Sequence, residues 1–145
     1  MKELDTTDDY NVIDAKESDY LFIQSSQIPA SGKGLYTAID IYKDEVISHF
    51  KGEVLSEKQI QYRVNKNQDQ YFIAMLDGNI LDSKKVNCFA KYANDAKGTA
   101  NNIYKNNAKI TIDELDNICL VATKKIKSSE EIFCGYGKKY WDKHG

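Results

Sequence analysis

The apolar residues of this chain come in short bursts closed off by turn signals, and that punctuation excludes most folds before any motif is weighed. Tyr20-Leu21-Phe22-Ile23-Gln24, Val46-Ile47-Ser48-His49-Phe50, Ala108 to Ile112 and Ile118 to Ala122 are rich in β-branched and aromatic residues, and each reads as a strand. Tyr71 to Leu76 and Ile80-Leu81 flank Asp77-Gly78, a pair that supplies the positive φ angles of a tight hairpin turn. Helical signals are brief. Ser56-Glu57-Lys58-Gln59 fits a capping box and predicts a helix to about Val64, while Val86, Phe89, Ala90 and Ala93 recur at i, i+3, i+4, i+7 and predict a turn or two ending at Asn94. Without internal repeats or strand–helix–strand alternation, the pattern points to one β-rich domain.

Composition narrows the class further. A chain of 145 residues with 41% hydrophobic and 29% charged residues has enough apolar material for a core of its own. No apolar run approaches the roughly 20 residues that cross a bilayer, and Met1-Lys2-Glu3-Leu4-Asp5 opens without a signal-peptide pattern. An intracellular protein with no membrane contact is expected. Cys88, Cys119 and Cys134 lie far apart, as do His49 and His144, which suggests neither a disulfide framework, nor a metal site, nor a triad. A net charge of −2 argues against direct nucleic acid binding through bulk electrostatics. The charge is uneven, because Glu3, Asp5, Asp8, Asp9, Asp14, Glu17 and Asp19 crowd the start of the chain. Residues 1–19 read as an acidic N-terminal arm, either a flexible solvated tail or a lure for a basic partner, with the folded domain over 20–145.

The chemistry concentrates near the other end. In Glu130-Glu131-Ile132-Phe133-Cys134-Gly135-Tyr136-Gly137 a phenol sits between two glycines, which allow tight geometry and close approach of another segment. Alone, the octet reads equally as a last strand ending in a turn. Gly32-Lys33-Gly34 lies near the start; it is neither a dinucleotide fingerprint, with Thr37 where a third glycine belongs, nor a Walker loop, with Gly34 after Lys33. Between them come Leu81-Asp82-Ser83, Lys91-Tyr92-Ala93-Asn94-Asp95-Ala96, and Asn101-Asn102 in a long polar loop.

In that order and at that spacing, from about Tyr20 to Trp141, the set resembles the SET-domain lysine methyltransferases. The resemblance implies a mostly β, β-clip-like fold of short sheets with a few short helices and a threaded pseudoknot, in which the Asn94 segment passes the C-terminal octet. It implies S-adenosylmethionine as cofactor, bound by Lys33, Gly34, Leu35, Asn94, Asp95, Tyr136 and Trp141, with Lys33 and Gly34 in a loop over its methionine end. Tyr136 stands in the place of the catalytic tyrosine, and Tyr71 in that of a channel wall that also contacts the amine. Cys134 lies where a Phe or Tyr limits methylation; its smaller size points to di- or trimethylation. Trp141 reads equally as a cover for adenine or channel and as a plug on the core, and Asn94 also fits a helix C-cap or an Asn-Asp turn. Asp95 replaces the family's usual His, Asn101 its usual Pro, and the cysteine-rich zinc-binding flank is missing, so Lys138 to Gly145 must close the site.

The implied activity is transfer of a methyl group to a lysine of a basic protein, a histone tail first, which would place the protein at chromatin in the nucleus; otherwise a cytoplasmic protein is expected. A basic peptide laid on an edge strand would suit a slightly acidic chain. The rival reading is a catalytically idle SET-like module that binds the cofactor or a lysine-bearing peptide. Oligomeric state stays open, a homodimer included.

Overall fold

A computed structural model describes residues 10–29, 31–75, 78–98, 103–113, 115 and 117–135. In chain order its elements are β1 (Asn11–Val12), α1 (Glu17–Tyr20), β2 (Leu21–Ser25), β3 (Lys33–Thr37), β4 (Glu45–His49), β5 (Glu53–Leu55), α2 (Glu57–Asn65), β6 (Phe72–Ala74), β7 (Ile80–Asp82), β8 (Ala108–Ile112), β9 (Ile118–Ala122), β10 (Glu131–Ile132) and β11 (Cys134–Gly135). Short 3-10 turns at Ala90–Tyr92 and Ala96–Gly98 complete the set. The fold is mostly β, as the punctuation predicts.

Three sheets share the chain. The largest runs β1-β4-β9-β8-β11, the second β10-β3-β2 and the third β5-β7-β6. β8 and β9 pair from Ala108↔Ala122 to Ile112↔Ile118, the hairpin read from sequence. Every residue of β9 is buried, because this strand lies between β8 and β4 with both faces covered. Leu35, Ile41, Ile47, Leu120, Ile126, Ile132 and Cys134 form the heart of the main core.

Two sequence expectations change shape. Lys33 and Gly34 do not form a loop: they open β3, the middle strand of its sheet, and the turn precedes them at Gly32, whose φ is +70°. The 86–93 periodicity yields only the 3-10 turn at Ala90–Tyr92, though Ala90 and Ala93 are buried as the spacing requires. Residues 10–20, within and just beyond the acidic stretch, lie on the large sheet. β1 pairs in parallel with β4, Tyr10 packs on Val46, Cys119 and Val121, and the Glu17 carboxylate accepts bonds from the Ser48 hydroxyl and the His49 amide. Two apolar residues among the acids, Tyr10 and Ile13, make this attachment possible.

The third sheet carries its own small core of Leu55, Phe72 and Ile80, covered by Ile60 and Val64 of α2. Ser56 caps that helix through the predicted box: its hydroxyl accepts from the Gln59 amide at 3.3 Å, and the Gln59 side chain accepts from the Ser56 amide at 2.9 Å. Among the described residues no helix is long and apolar enough to cross a membrane.

Candidate active site

The octet is built into the fold by a buried carboxylate. β10 pairs antiparallel with β3, Glu131 opposite Tyr36 and Ile132 opposite Leu35. Glu131 is only 2% exposed. Its oxygens accept from the Ser26 hydroxyl at 2.6 Å, the Gln27 amide at 2.8 Å and the Tyr36 hydroxyl at 3.2 Å, which satisfies a charge that would otherwise be costly to bury. Burial, then the Glu131 charge and hydrogen bond, push the Tyr36 phenol above its ordinary pKa. Gly34 follows from this arrangement: a Cβ there would lie 2.3 Å from Glu131 Oε2 and 3.2 Å from Ser26 Cα, so only a glycine lets β3 pass the carboxylate.

Just beyond, the chain crosses itself. Asn94 bridges Phe133 in parallel, and the Cys134 amide donates to the Asn94 carbonyl at 2.8 Å. On the other flank β11 pairs in parallel with β8, Cys134 opposite Ala108. Residues 133–135 are thus held between Asn94 on one side and residues 107–109 on the other, and this crossing is the threaded pseudoknot. Asn94 Nδ2 donates to the Lys33 carbonyl at 2.9 Å, so three distant motifs (Lys33, Asn94 and Cys134) meet at one point.

Asn107, the residue just before β8, locks the crossing. Its side chain donates to the Glu131 carbonyl at 3.0 Å and accepts from the Phe133 amide at 2.8 Å, both buried. Its backbone amide donates to the Phe133 carbonyl at 3.0 Å. No single-residue pattern marks such an amide; only the topology brings its partners within reach. Asp95 is engaged locally, with Oδ1 accepting from the Lys97 amide at 2.9 Å and from Asn106 Nδ2 at 3.1 Å.

Cys134 is fully buried and belongs to the main core. Desolvation, then the Asp95 charge, push its thiol up to about 12. The raised value means that folding favours the protonated thiol. This contribution is complete below the ordinary value of 9.0 and is lost as pH climbs toward 12. Folded protein at pH 8.5 is therefore expected to leave Cys134 unalkylated by iodoacetamide, as peptide mass mapping would show, until urea unfolds it. Rapid labelling of the native protein would contradict the burial.

Tyr71 precedes β6 and is half-buried. The Ser83 amide donates to its carbonyl at 3.2 Å, which extends the Phe72↔Asp82 register by one step and sets Tyr71 opposite Ser83. By strand alternation these two share a face with Ile73 and Leu81, which are core members along with Ala93 and Cys134. Lys91, absent from the sequence-predicted site, pins this corner. Its Nζ donates to the carbonyls of Ser83, Lys84 and Val86 at 3.0 to 3.2 Å, and lies 5.5 Å from the Tyr71 ring centroid and 5.4 Å from that of Tyr92. Tyr71 is thus joined to the crossing through the shared core face, while Lys33, Gly34, Leu35, Asn94, Asp95 and Cys134 meet at it or beside it. Tyr136 and Trp141 lie outside the described residues, as do Asn101 and Asn102; Gly135 brings the chain to the position before Tyr136.

Among the described residues two clefts stand out, one beside the Lys91 corner and one at the crossing itself. One of about 610 Å³ is lined by residues that include His49, Cys88, Phe89, Lys91 and Tyr92. Another of about 580 Å³ is lined in part by Tyr104, Asn107, Glu131 and Phe133. Among the described residues, no group of three or more His, Cys, Asp or Glu side chains could hold a metal ion.

Comparison with known proteins agrees with this geometry. Solved structures with the same fold include an apo ctPRC2 with substitutions in Ezh2, at 27% identity and a TM-score of 0.67, covering 81% of this chain and 15% of that one. A humanized mutant of the Chaetomium thermophilum Polycomb Repressive Complex 2 bound to an inhibitor matches at 26% identity and a TM-score of 0.67, covering 81% and 15%. A ctPRC2 in an autoinhibited conformation bound to S-adenosylmethionine shares the fold at 24% identity and a TM-score of 0.67, covering 86% and 17%. The chain therefore corresponds to less than a fifth of these longer proteins. No curated protein matches it by sequence. The SET domain profile matches residues 32–137, from the glycine before β3 through the octet, and by that match this chain belongs to the SET domain family.

Proposed function

We propose that the protein is an S-adenosylmethionine-dependent protein-lysine methyltransferase. The observation that carries this reading is the meeting of Lys33, Asn94 and Cys134 at the crossing, one residue before Gly135 and two before Tyr136. The residues present fit the cofactor's polar end. Lys33 is an exposed cation suited to a carboxylate, and the half-buried Asn94, whose Nδ2 is spent on Lys33, keeps an amide oxygen able to accept from an ammonium. Asp95, with its carboxylate committed to Asn106 and Lys97, would contribute through its backbone. Gly34 and Leu35 would line the same edge, and Trp141 would cover it.

When bound, the cofactor supplies an electrophilic methyl group on a positively charged sulfur. The chain's own residues do the rest. A lysine of ordinary pKa near 10.4 must be neutral to attack, which at pH 7 costs about 4.6 kcal/mol. Burial of the amine against apolar walls would lower that cost by penalising the ammonium. His49 is held by Glu17 and Asp113 on β4, so it is not placed as a base at the crossing. Tyr71 would wall the channel, and Tyr136 would orient the amine toward the methyl group through its hydroxyl. Alignment of this kind is worth orders of magnitude in rate. A histone tail, or another basic protein, is the substrate this reading favours, and chromatin the place of action.

The test uses tritiated S-adenosylmethionine and a mixture of core histones. Wild type is expected to label lysine, and a folded Tyr136→Phe variant to lose roughly 100-fold in rate. Unchanged transfer by that variant would overturn the mechanism. The local use of the Asp95 carboxylate favours a second reading, a module that binds without transferring. It predicts a rise in melting temperature with S-adenosylmethionine but no label on any lysine.

A further inference from the structure

Among the described residues, the Ser83 hydroxyl is the buried side-chain oxygen that finds no hydrogen-bond partner, and Ser83 itself is 0% exposed. Buried polar groups are almost always paired, so an orphan in an otherwise satisfied region asks for a ligand. Its position is specific. Ser83 lies directly opposite Tyr71 across the β6–β7 ladder, on the face turned to the core that holds Ala93 and Cys134. Its carbonyl is fixed by Lys91 Nζ at 3.1 Å, so the backbone beneath the hydroxyl is held still.

We propose that Ser83 Oγ accepts a hydrogen bond from the ε-nitrogen of the substrate lysine and thereby limits how many methyl groups are added. This rests on the methyltransferase reading above. Each transfer forms one N–C bond, breaks one S–C bond and releases one proton from nitrogen to solvent. A neutral unmethylated amine carries two N–H groups, a monomethyl amine one, and a dimethyl amine none. Ser83 can therefore hold the first two acceptors of a methyl group by an N–H, with the lone pair free to attack. Against a dimethyl amine it presents an unpaired oxygen to a methyl group, which disfavours the third addition. Cys134 is itself a small side chain, so on this account polarity at Ser83, rather than bulk at Cys134, sets the limit. Ser83 is a positioning residue in this scheme, acting on the substrate nitrogen alone.

The experiment compares wild type, Ser83→Ala and Ser83→Cys on unmodified core histones with S-adenosylmethionine. Mass spectrometry reads mono-, di- and trimethyl states at each modified lysine, and a thermal melt is run on each protein. Ser83→Ala is expected to raise the trimethyl-to-dimethyl ratio about fivefold, the equivalent of one ordinary neutral hydrogen bond. Its melting temperature should hold or rise, since an unpaired polar atom has been removed. Ser83→Cys keeps the shape, with a somewhat larger atom, but weakens the acceptor, so the ratio should move the same way; it also serves if the alanine variant does not fold. A wild-type product distribution in Ser83→Ala overturns the proposal, as does a lowered melting temperature with unchanged products. A shift in Ser83→Alanine alone, with Ser83→Cys like wild type, assigns the effect to space and overturns it too. Absence of transfer by wild type removes the methyltransferase reading and this inference together, whereas transfer with unaltered ratios removes only this inference.

Discussion

Arg63→Ala is expected to destabilise the fold by about 3–5 kcal/mol, the usual result of stripping one partner from a buried ion pair. Arg63 is the single arginine of the chain, and its Nη1 donates to Asp82 Oδ2 at 2.6 Å and to Glu53 Oε1 at 3.3 Å. The Asp82 side chain is 1% exposed, against 39% for Glu53, so the two bonds are unequal. Loss of the bond to Glu53 would cost little, because water replaces it. Loss of the bond to Asp82 leaves a carboxylate in the interior with, among the described residues, the Lys84 amide 3.0 Å away as its remaining donor. Urea unfolding followed by circular dichroism would show the midpoint shift. The double replacement Arg63→Met with Asp82→Leu should recover much of it, because it removes both buried charges together. A single-variant loss under 1 kcal/mol would mean that the pair is solvated in solution.

Asn107→Ala is expected to cost about 3–4 kcal/mol, because it strands two buried backbone groups, the Glu131 carbonyl and the Phe133 amide, each worth about 1–3 kcal/mol when unpaired. The damage should concentrate at the crossing. Hydrogen exchange is expected to speed up at the Phe133 and Cys134 amides before it does so in the β8–β9 hairpin. Asn107→Asp separates shape from chemistry. It keeps the acceptor for Phe133 but turns the donor into a charge facing the Glu131 carbonyl, and it should be at least as harmful as alanine. Normal protection at residues 133 and 134 in the alanine variant would show that the backbone pairing to Asn94 and β8 suffices without the side chain.

What the sequence discloses about this fold follows the range of the forces involved. The β8–β9 hairpin and the capped helix α2 are written in neighbouring residues, and their expected ranges match the observed ones closely; the β6–β7 pair is local too, though β6 covers only Phe72–Ala74 of the expected Tyr71 to Leu76, and Leu76 and Asp77 lie outside the described residues. The glycines of Gly32-Lys33-Gly34 suggest a loop, yet Gly34 exists for the sake of Glu131, nearly a hundred positions later, and sits in a strand. Likewise Asn107 looks like an ordinary polar loop residue, and Lys91 like a solvated position on a short helical turn, until Phe133 and the Ser83–Val86 turn are brought to them. The order of the motifs identified the family and with it the meeting of Lys33, Asn94 and Cys134. It could not supply Ser83, whose significance is a missing partner rather than a pattern.

The crossing also has a consequence in time. A ribosome makes residues 94–109 well before 131–135, so for an interval the nascent chain carries β8 with one edge bare and the amide of Asn107 without its mates. An uncovered strand edge invites pairing with other chains. During synthesis, then, the crossing begins as an adhesive edge, and a holdase that shields β8 until residues 134–135 slide in would limit such mispairing.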